Sequence, residues 1–568
     1  MKKQSIFALF MVVFALSACK PPKEFLQNLT VTPSPLESHA GKVEVTIDGN
    51  FPVKYFTKNM ILTVTPVLKS KTSDAVFKAE SVVYQGEKVK DNNQVISYKM
   101  GGKYSHKAVF NYDPAMESSE LWLEVQCKIK KKEYTLPAQK IADGVNITPL
   151  LVSNDPGTGD LAAQIEADKF QRIIQEKQEA EIRFLIQQSD IRKSEVKSES
   201  VINLTKKIQE AKESQNLEMK GLEISSYASP DGGIELNEKL AEQRDKSSVK
   251  FVNDELKKLK AEVTISSKFT AQDWEGFQKL MEQSDIQDKQ LILRVLSMYS
   301  DTEQREKEIK NLSAAYKVIA DEVLPQLRRS KMTLLIDVIG RSDEEIASLA
   351  AQKSKDLSVE EVLYAATLTN DLNQKAEIYL LATENYPEDF RGFNNLGAVK
   401  YELGQIDEAE RSLAKALELN AKNINANFNT GLVALAKGDD AKAEEYFGNA
   451  GGVGSALDCA NGVLAIKKAD YKKAVSLFGA SKINNAGLAK ILTKDYTGAR
   501  NVLESIEKPN ATTNYLLAIV GARTNDRTLA SDNLKKAVEQ NADLKAKAAK
   551  DVEFAEMMKD ENFAAIVK

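Results

Sequence analysis

The sequence predicts a multidomain protein: an N-terminal all-β sandwich, a central α/β domain carrying a helical insertion, and a C-terminal all-α repeat array. Three observations predict it. Short runs alternating apolar and polar residues fill the chain before residue 150, strand-period and helix-period patterns alternate from 181 to 350, and small residues recur at fixed spacing from 358 onward. A chain of 568 residues, 42% hydrophobic and 28% charged, is long enough for several independent cores.

The chain opens with Met1-Lys2-Lys3, an apolar run over 6–18, and Leu16-Ser17-Ala18-Cys19. A basic start, about a dozen apolar residues and small residues before the break form a secretory signal, and the run is too short to span a bilayer. Leu16-Ser17-Ala18-Cys19 resembles the lipobox of bacterial lipoproteins. That resemblance implies a signal peptide over 1–18, lipidation of Cys19 and acylation of the new amino terminus. Acyl chains contribute about 0.8 kcal/mol per buried methylene and hold a soluble body at a membrane. Lys20-Pro21-Pro22-Lys23-Glu24 follows, a basic and Pro-rich start, whereas Bacteroidota lipoproteins sent to the cell surface usually carry acidic residues there. The expectation is a lipid-anchored outer-membrane protein facing the periplasm.

The formal charge of −4 offers no general basic field, so nucleic acid is not an expected partner. Apart from Cys19 the cysteines are Cys127 and Cys459, in different segments, with no CxxC or Cys/His spacing for a metal. His39 and His106 are the only histidines, which removes most His-based triads and metal centres. No cofactor and no enzymatic activity are expected.

Residues 19–150 read as an antiparallel sandwich, with Val43-Glu44-Val45-Thr46-Ile47 and Leu121-Trp122-Leu123-Glu124-Val125 as alternating strands. Asp48-Gly49-Asn50 and Gly101-Gly102 are its turns, and both histidines read as surface or edge residues. The module carries no visible chemistry and serves as a spacer or binding module. Residues 151–180 read as a linker, Asp155-Pro156-Gly157-Thr158-Gly159, followed by a charged amphipathic helix over 161–179.

Within 181–350 the pattern predicts a strand near 182–186, a helix over 200–212, a strand over 217–227 and a helix over 236–259. A last strand over 332–336 comes after an insertion at 273–329, in which Trp274, Phe277, Leu280 and Met281 share one apolar helix face. Ser226-Tyr227-Ala228-Ser229-Pro230-Asp231-Gly232, followed by Asn237, Leu240, Ala241 and Arg244, resembles the peptidoglycan-binding domain of OmpA-like proteins. Leu327-Arg328-Arg329-Ser330-Lys331 is similar to that family's Asn-Arg-Arg segment, and the Ala-Ser-Pro-Asp-Gly form resembles a variant found in Bacteroidota. The resemblance implies that an Asp and an Arg clasp the two ends of the diamino acid in the peptide stem. Arg244 stands at the Arg position; Ser229 stands where the Asp belongs, and Asp231 is the candidate replacement. Loss of one charge-assisted hydrogen bond costs about 1.5–3 kcal/mol. The open alternative is that Asp231-Gly232-Gly233 is only a turn and Arg244 a solvated helix residue. The peptidoglycan-binding candidates are therefore Ser229, Asp231, Asn237 and Arg244.

From 358 to 568, small residues twelve apart recur as Gly397/Ala409, Gly431/Ala443, Gly462/Ala474, Gly487/Ala499 and Ala518/Ala530. Leu413, Phe447, Phe478, Leu503 and Leu534 stand four residues beyond each second member, and the first two units are 34 residues apart. This is similar to tetratricopeptide repeats, whose small residues let paired helices approach closely. The resemblance implies a concave surface for a protein partner and a C-terminal cap over 551–568. Asn395 and Asn429, equivalent on successive first helices, are the peptide-binding candidates; each would hold a peptide backbone with its amide or cap local polar groups. Ala450-Gly451-Gly452-Val453-Gly454 lacks the strand and Gly-Lys-Ser/Thr end of a phosphate loop and reads as a break between repeats.

Together these readings predict a non-enzymatic envelope scaffold that tethers a protein partner near peptidoglycan, with assembly or export of outer-membrane proteins as its context by analogy of architecture. The alternative is a cell-wall hydrolase. Its best elements are Ser194-x-x-Lys197 and the carboxylate pair Glu408 and Glu410, none with a visible means of activation.

Overall fold

The computed structural model describes residues 25–156, 160–311 and 313–568. The signal peptide expected over 1–18 and the expected lipidation site Cys19 lie outside the described residues. Residues up to Ala167 together with 369–568 form one compact unit, and Asp168–Leu368 form a second.

Ten strands open the first unit: β1 (Gln27–Thr32), β2 (Ser38–His39), β3 (Lys42–Phe51), β4 (Met60–Ser70), β5 (Val76–Lys78), β6 (Val82–Gly86), β7 (Gln94–Ile96), β8 (Gly102–Asn111), β9 (Ser119–Ile129) and β10 (Lys132–Asp143). One sheet has the order β1-β3-β2 with β8 on β3; the other runs β10-β9-β4-β6-β7 with β5 on β4. Alternation drives their closure: Val43, Val45 and Ile47 of β3 and Leu121, Leu123 and Val125 of β9 enter one shared core. All pairings are antiparallel except β6 with β7, which is parallel. His106 departs from the sequence expectation of a surface or edge residue. The β8 alternation places it inward with Tyr104 and Ala108, 5% exposed, its Nδ1 3.2 Å from the Tyr104 hydroxyl.

The second unit contains β11 (Ile173–Arg183), α1 (Lys193–Val196), α2 (Glu199–Glu213), β12 (Leu217–Tyr227), α3 (Ile234–Leu259), β13 (Ile265–Thr270), the insertion helices α4 (Trp274–Gln283), α5 (Lys289–Met298), α6 (Thr302–Asn311), α7 (Ser313–Glu322) and α8 (Leu324–Leu327), then β14 (Arg329–Ile339), α9 (Asp343–Ala351) and α10 (Val359–Ala365). The sheet order is β11-β14-β12-β13, with only β12 and β13 parallel, the pair that α3 connects. Val201, Leu204 and Ile208 of α2 and Val252 and Leu256 of α3 cover its buried face. The insertion has its own core, built around Phe277, Met281, Ile292, Ile319 and Leu327, with Trp274 and Leu280 packed against it. The α4 apolar face is therefore internal.

The charged helix expected over 161–179 does not form. Residues 161–172 run without helix into β11, with sides alternating from Gln164 to Phe170. Their backbone groups find partners on other parts of the protein, and that tertiary context overrides local helix propensity. At the far end, α10 belongs to the second unit, so the helices that follow begin later than residue 358.

The repeat helices of the first unit are α11 (Leu372–Asn385), α12 (Phe390–Glu402), α13 (Ile406–Leu419), α14 (Ile424–Ala436), α15 (Asp440–Gly448), α16 (Ser455–Lys467), α17 (Tyr471–Phe478), α18 (Asn484–Leu492), α19 (Tyr496–Glu504), α20 (Ala511–Thr524) and α21 (Arg527–Gln540), followed by the short α22 (Leu544–Ala548) and α23 (Glu561–Ala565). They stack as antiparallel pairs, α12/α13 through α20/α21, which is tetratricopeptide architecture. The spacing has a direct steric cause. A Cβ on Gly397 would lie 2.6 Å from Leu413, one on Gly462 2.7 Å from Phe478, and one on Gly487 2.5 Å from Leu503. The large residue of each second helix fills the notch that glycine leaves in the first.

The C-terminal residues close this array and bind it to the sandwich. Phe554, Met557 and Phe563 enter the solenoid core. The Glu553 carboxylate, 5% exposed, accepts from Arg523, from Asn146 Nδ2 at 2.8 Å and from the Thr148 hydroxyl at 2.5 Å. His39 Nδ1 lies 2.5 Å from the Tyr471 hydroxyl.

Gly462→Val is expected to lower unfolding free energy by about 1–3 kcal/mol through overpacking against Phe478. Gly448→Ala, with nothing within 4 Å, is expected to be neutral or stabilising by up to about 1 kcal/mol. Urea denaturation of the two variants beside wild type measures both.

Candidate functional site

Asn395 on α12 and Asn429 on α14 are fully buried, and both hold main chain. That main chain is the protein's own. The Gln164 N–H donates to Asn429 Oδ1 at 2.7 Å while Asn429 Nδ2 donates to the Gln164 carbonyl at 2.7 Å. Asn395 repeats the pairing on Glu166, at 2.7 and 2.9 Å. A carboxamide is suited to this because it offers a donor and an acceptor side by side, as a neighbouring strand would. Successive repeats thus engage alternate residues of an extended segment.

A third asparagine does the same. Asn485 on α18 accepts from the Ser153 N–H at 2.9 Å and donates to the Ser153 carbonyl at 2.7 Å. Sequence reasoning missed it, yet the signal was there: Asn395, Asn429 and Asn485 each stand two residues before the glycine of their repeat. Ala460 occupies that position in the repeat between them.

Side chains of the segment add specific contacts. Leu161, 3% exposed, joins the solenoid core. Glu166 Oε1 accepts from Asn423 Nδ2 at 2.7 Å and Asn425 Nδ2 at 2.8 Å. The Ala163 N–H donates to Glu402 at 2.8 Å. The Asp160 carboxylate accepts from the Asn484 and Asn485 N–H groups at 3.2 and 3.3 Å. Those are the first amides of α18, whose own N-cap, Ile483, has no side chain to offer. A residue over 320 positions earlier in sequence caps this helix. Burial pushes the Asp160 carboxyl up to about 6 against the pull of those two N–H bonds, and burial also raises Glu402.

In the second unit Ser229, Asp231 and Asn237 meet at the end of β12 and the start of α3, and Arg244, two turns further along α3, reaches back to the end of β12. Asn237 Nδ2 ties the loop, donating to the Ser229 carbonyl at 3.0 Å and the Gly232 carbonyl at 2.9 Å. Ser229 Oγ donates to Asp231 at 2.5 Å. Arg328, just before β14, pairs with Asp231 at 3.1 Å and donates to Ser229 Oγ at 3.2 Å. Arg328 was visible in the sequence as part of the Arg-Arg segment but was not chosen as a site residue. Lys310 of the insertion reaches the Asp231 carbonyl at 3.3 Å.

Arg244 is not a solvated helix residue. It is fully buried, donates to the carbonyls of Gln188, Tyr227 and Leu185 at 3.0, 2.9 and 3.2 Å, and lies over the Phe184 ring. Burial, with Arg328 nearby, brings its guanidinium down to about 10. Three of its donors hold backbone, while beside it Asp231 and Arg328 pair with each other, both largely enclosed.

The catalytic alternatives find no such assembly. Ser194 and Lys197 are both exposed. Glu408 pairs with Lys400 at 2.8 Å, which holds its carboxyl below the usual range, and Glu410 pairs with Lys437 at 2.6 Å. Among the described residues no group of three His, Cys, Asp or Glu could hold a metal ion, and no helix is long and apolar enough to cross a membrane.

No family model matches the chain, and no curated protein matches it. Solved structures similar to it include a tetratricopeptide repeat protein from Parabacteroides merdae, at 14% identity over 47% of this chain and 94% of that one, TM-score 0.27. Yeast Tom70 is similar at 12% identity over 64% and 88%, TM-score 0.27. The anaphase-promoting-complex assembly Cut9-Hcn1 is similar at 13% identity over 58% and 77%, TM-score 0.31.

Docking of the segment is expected to depend on pH. The Asp160 carboxyl is raised from 3.8 to about 6 when docked, so its contribution is fully present below about 4 and is lost as pH rises through about 6. The full effect is about 3 kcal/mol. Hydrogen exchange of 160–166, corrected for intrinsic rates, should show stronger protection at pH 5 than at neutral pH, and Asp160→Asn should flatten that difference.

Proposed function

We propose that this chain is a non-enzymatic lipoprotein scaffold of the cell envelope, anchored in the outer membrane at Cys19 and facing the periplasm. Its solenoid receives an extended segment of a protein partner, and its central unit binds peptidoglycan. Assembly or export of outer-membrane proteins is the setting this arrangement suits. The observation that carries the reading is the pairing of both backbone groups of Ser153, Gln164 and Glu166 by three buried asparagines. A groove lined this way is built for extended main chain, and its present occupant stands where a partner's segment would lie.

Loosening the occupant is expected to open the groove. Leu161→Asp forces a charge into the solenoid core and should free the segment. The full chain carrying it should bind a fluorescent peptide of the 150–168 sequence, measured by anisotropy, while wild type binds it weakly. Adding Asn429→Ala removes two hydrogen bonds and should weaken that peptide roughly ten- to a hundredfold. A folded Leu161→Asp variant that ignores the peptide would remove the receptor role.

The wall-binding half is supported by the meeting of Ser229, Asp231 and Asn237 on one loop, with Arg328 beside Asp231 and Arg244 bonded to the Tyr227 carbonyl just before it. Sedimentation of the chain with insoluble peptidoglycan should show saturable binding, reduced at least tenfold in Asp231→Ala by loss of a charge-assisted contact. Absence of binding by the wild-type chain would leave the central unit as a protein-contact platform.

A further inference from the structure

The sandwich has two unlike ends. One carries His39, Asn146 and Thr148, which meet Tyr471 and Glu553 of the solenoid portion. The other is built from the loop between β3 and β4, the loop after β6, the loop between β7 and β8, and the β9–β10 turn. Backbone bonds knit these together: Lys54 N–H to the Tyr98 carbonyl at 2.7 Å, Lys88 N–H to the Lys58 carbonyl at 2.8 Å, and Lys130 N–H to the Asn59 carbonyl at 3.5 Å.

This end is strongly basic in a chain of net charge −4. Lys54, Lys58, Lys88, Lys90, Lys130 and Lys131 are all exposed there. None of the six forms an ion pair among the described residues. The exposed acids on the same loops are Glu87, Asp91 and Glu133, and Glu133 is taken by Lys128 at 2.8 Å. Two apolar side chains stand among the lysines, Val53 at 61% and Met100 at 83% exposure. Their loops touch, since Gly101 sits against the Phe51 carbonyl and Val53 nitrogen.

The chain also enters the fold at this end. Gln27 pairs with Asn50, and Asn50 with Lys103, at the β3 terminus that feeds the lysine-bearing loop. Phe25 is the first described residue and is buried. Six residues separate it from Cys19, and fully extended they reach about 20 Å at most.

We propose that this basic end of the sandwich is a membrane-docking surface for an anionic phospholipid bilayer, with Val53 and Met100 entering the headgroup region. The proposal rests on the lipid-anchor reading for its geometry, because an acyl chain at Cys19 holds these loops close to the bilayer. Its chemistry is independent of the anchor. Clustered lysines are attracted to anionic headgroups, apolar tips add burial, and stable membrane attachment takes two such signals. The surface would fix the sandwich end-on and direct the opposite end, with the solenoid, away from the bilayer.

The test uses the chain from residue 20, which keeps every described element and carries no acyl chain. It should co-sediment with phosphatidylglycerol-containing vesicles at low salt and lose that binding at high salt, where the charges are screened. It should not bind pure phosphatidylcholine. Lys88→Glu/Lys130→Glu/Lys131→Glu should reduce partitioning more than a hundredfold, at roughly fivefold per lysine removed and more for reversal. Lys472→Glu, an exposed solenoid lysine, should leave it unchanged. Equal binding to both vesicle types, no binding to either, or a triple variant that binds like wild type would each overturn the proposal. Incorporation of labelled fatty acid in cells, lost in Cys19→Ser, tests the anchor separately, so failure of either reading is seen without the other.

Discussion

The paired amide bonds between three asparagines and an extended internal segment are the interaction on which the first unit depends. Backbone N–H and C=O groups entering a closed groove lose water and need partners, and an unpaired one costs as much as a lost hydrogen bond. Asn395, Asn429 and Asn485 answer that need residue by residue. The dependence runs both ways. Asp160 completes the first turn of α18, and Leu161 fills part of the solenoid core, so the segment belongs to the solenoid's structure as much as it occupies it.

A second constraint keeps the groove's geometry fixed. Gly397, Gly431, Gly462 and Gly487 each face a large side chain of the partner helix so closely that a Cβ would clash. That close approach sets where the asparagine two residues earlier projects, which is why one spacing along the sequence produces a regular ladder. At the C-terminal end the bidentate Arg523–Glu553 pair adds Asn146 and Thr148 to its acceptor, tying the sandwich into the same body. Removing one partner of such a buried pair costs about 3–5 kcal/mol. Glu553 is therefore a structural residue despite its charge.

Much of this was legible in the sequence, and the failures have physical causes. Strand alternation and helix-face spacing are local signals enforced by packing, and the elements over 217–227 and 274–283 follow from them closely. The expected helix over 161–179 fails because its pattern was read without a partner. Leu161, Ala163 and Glu166 fit an amphipathic helix in isolation but serve as separate contacts of an extended chain in a groove. His106 was misjudged for the opposite reason: the β8 alternation that buries Tyr104 and Ala108 also buries it, and residue type was weighed above register. Asp160 and Glu402 could not be found from sequence, since each matters only through a contact made hundreds of residues away.

The two candidate sites divide recognition differently. In the solenoid the asparagines read only main chain at Gln164 and Glu166, so any extended segment satisfies them equally. Discrimination must come from the places where side chains are enclosed. Asp160 meets the open amides of α18, and Leu161 enters the core one residue later. Asp160 and Leu161 are thus the side chains that hold this segment beyond its main-chain pairing. In the central unit the charges are enclosed: Arg244 is turned inward onto three carbonyls, and Asp231 pairs with Arg328, which is only 9% exposed. Those charges already satisfy each other. Ser229 joins them, donating to Asp231 and accepting from Arg328, so the three side chains form one closed set of hydrogen bonds.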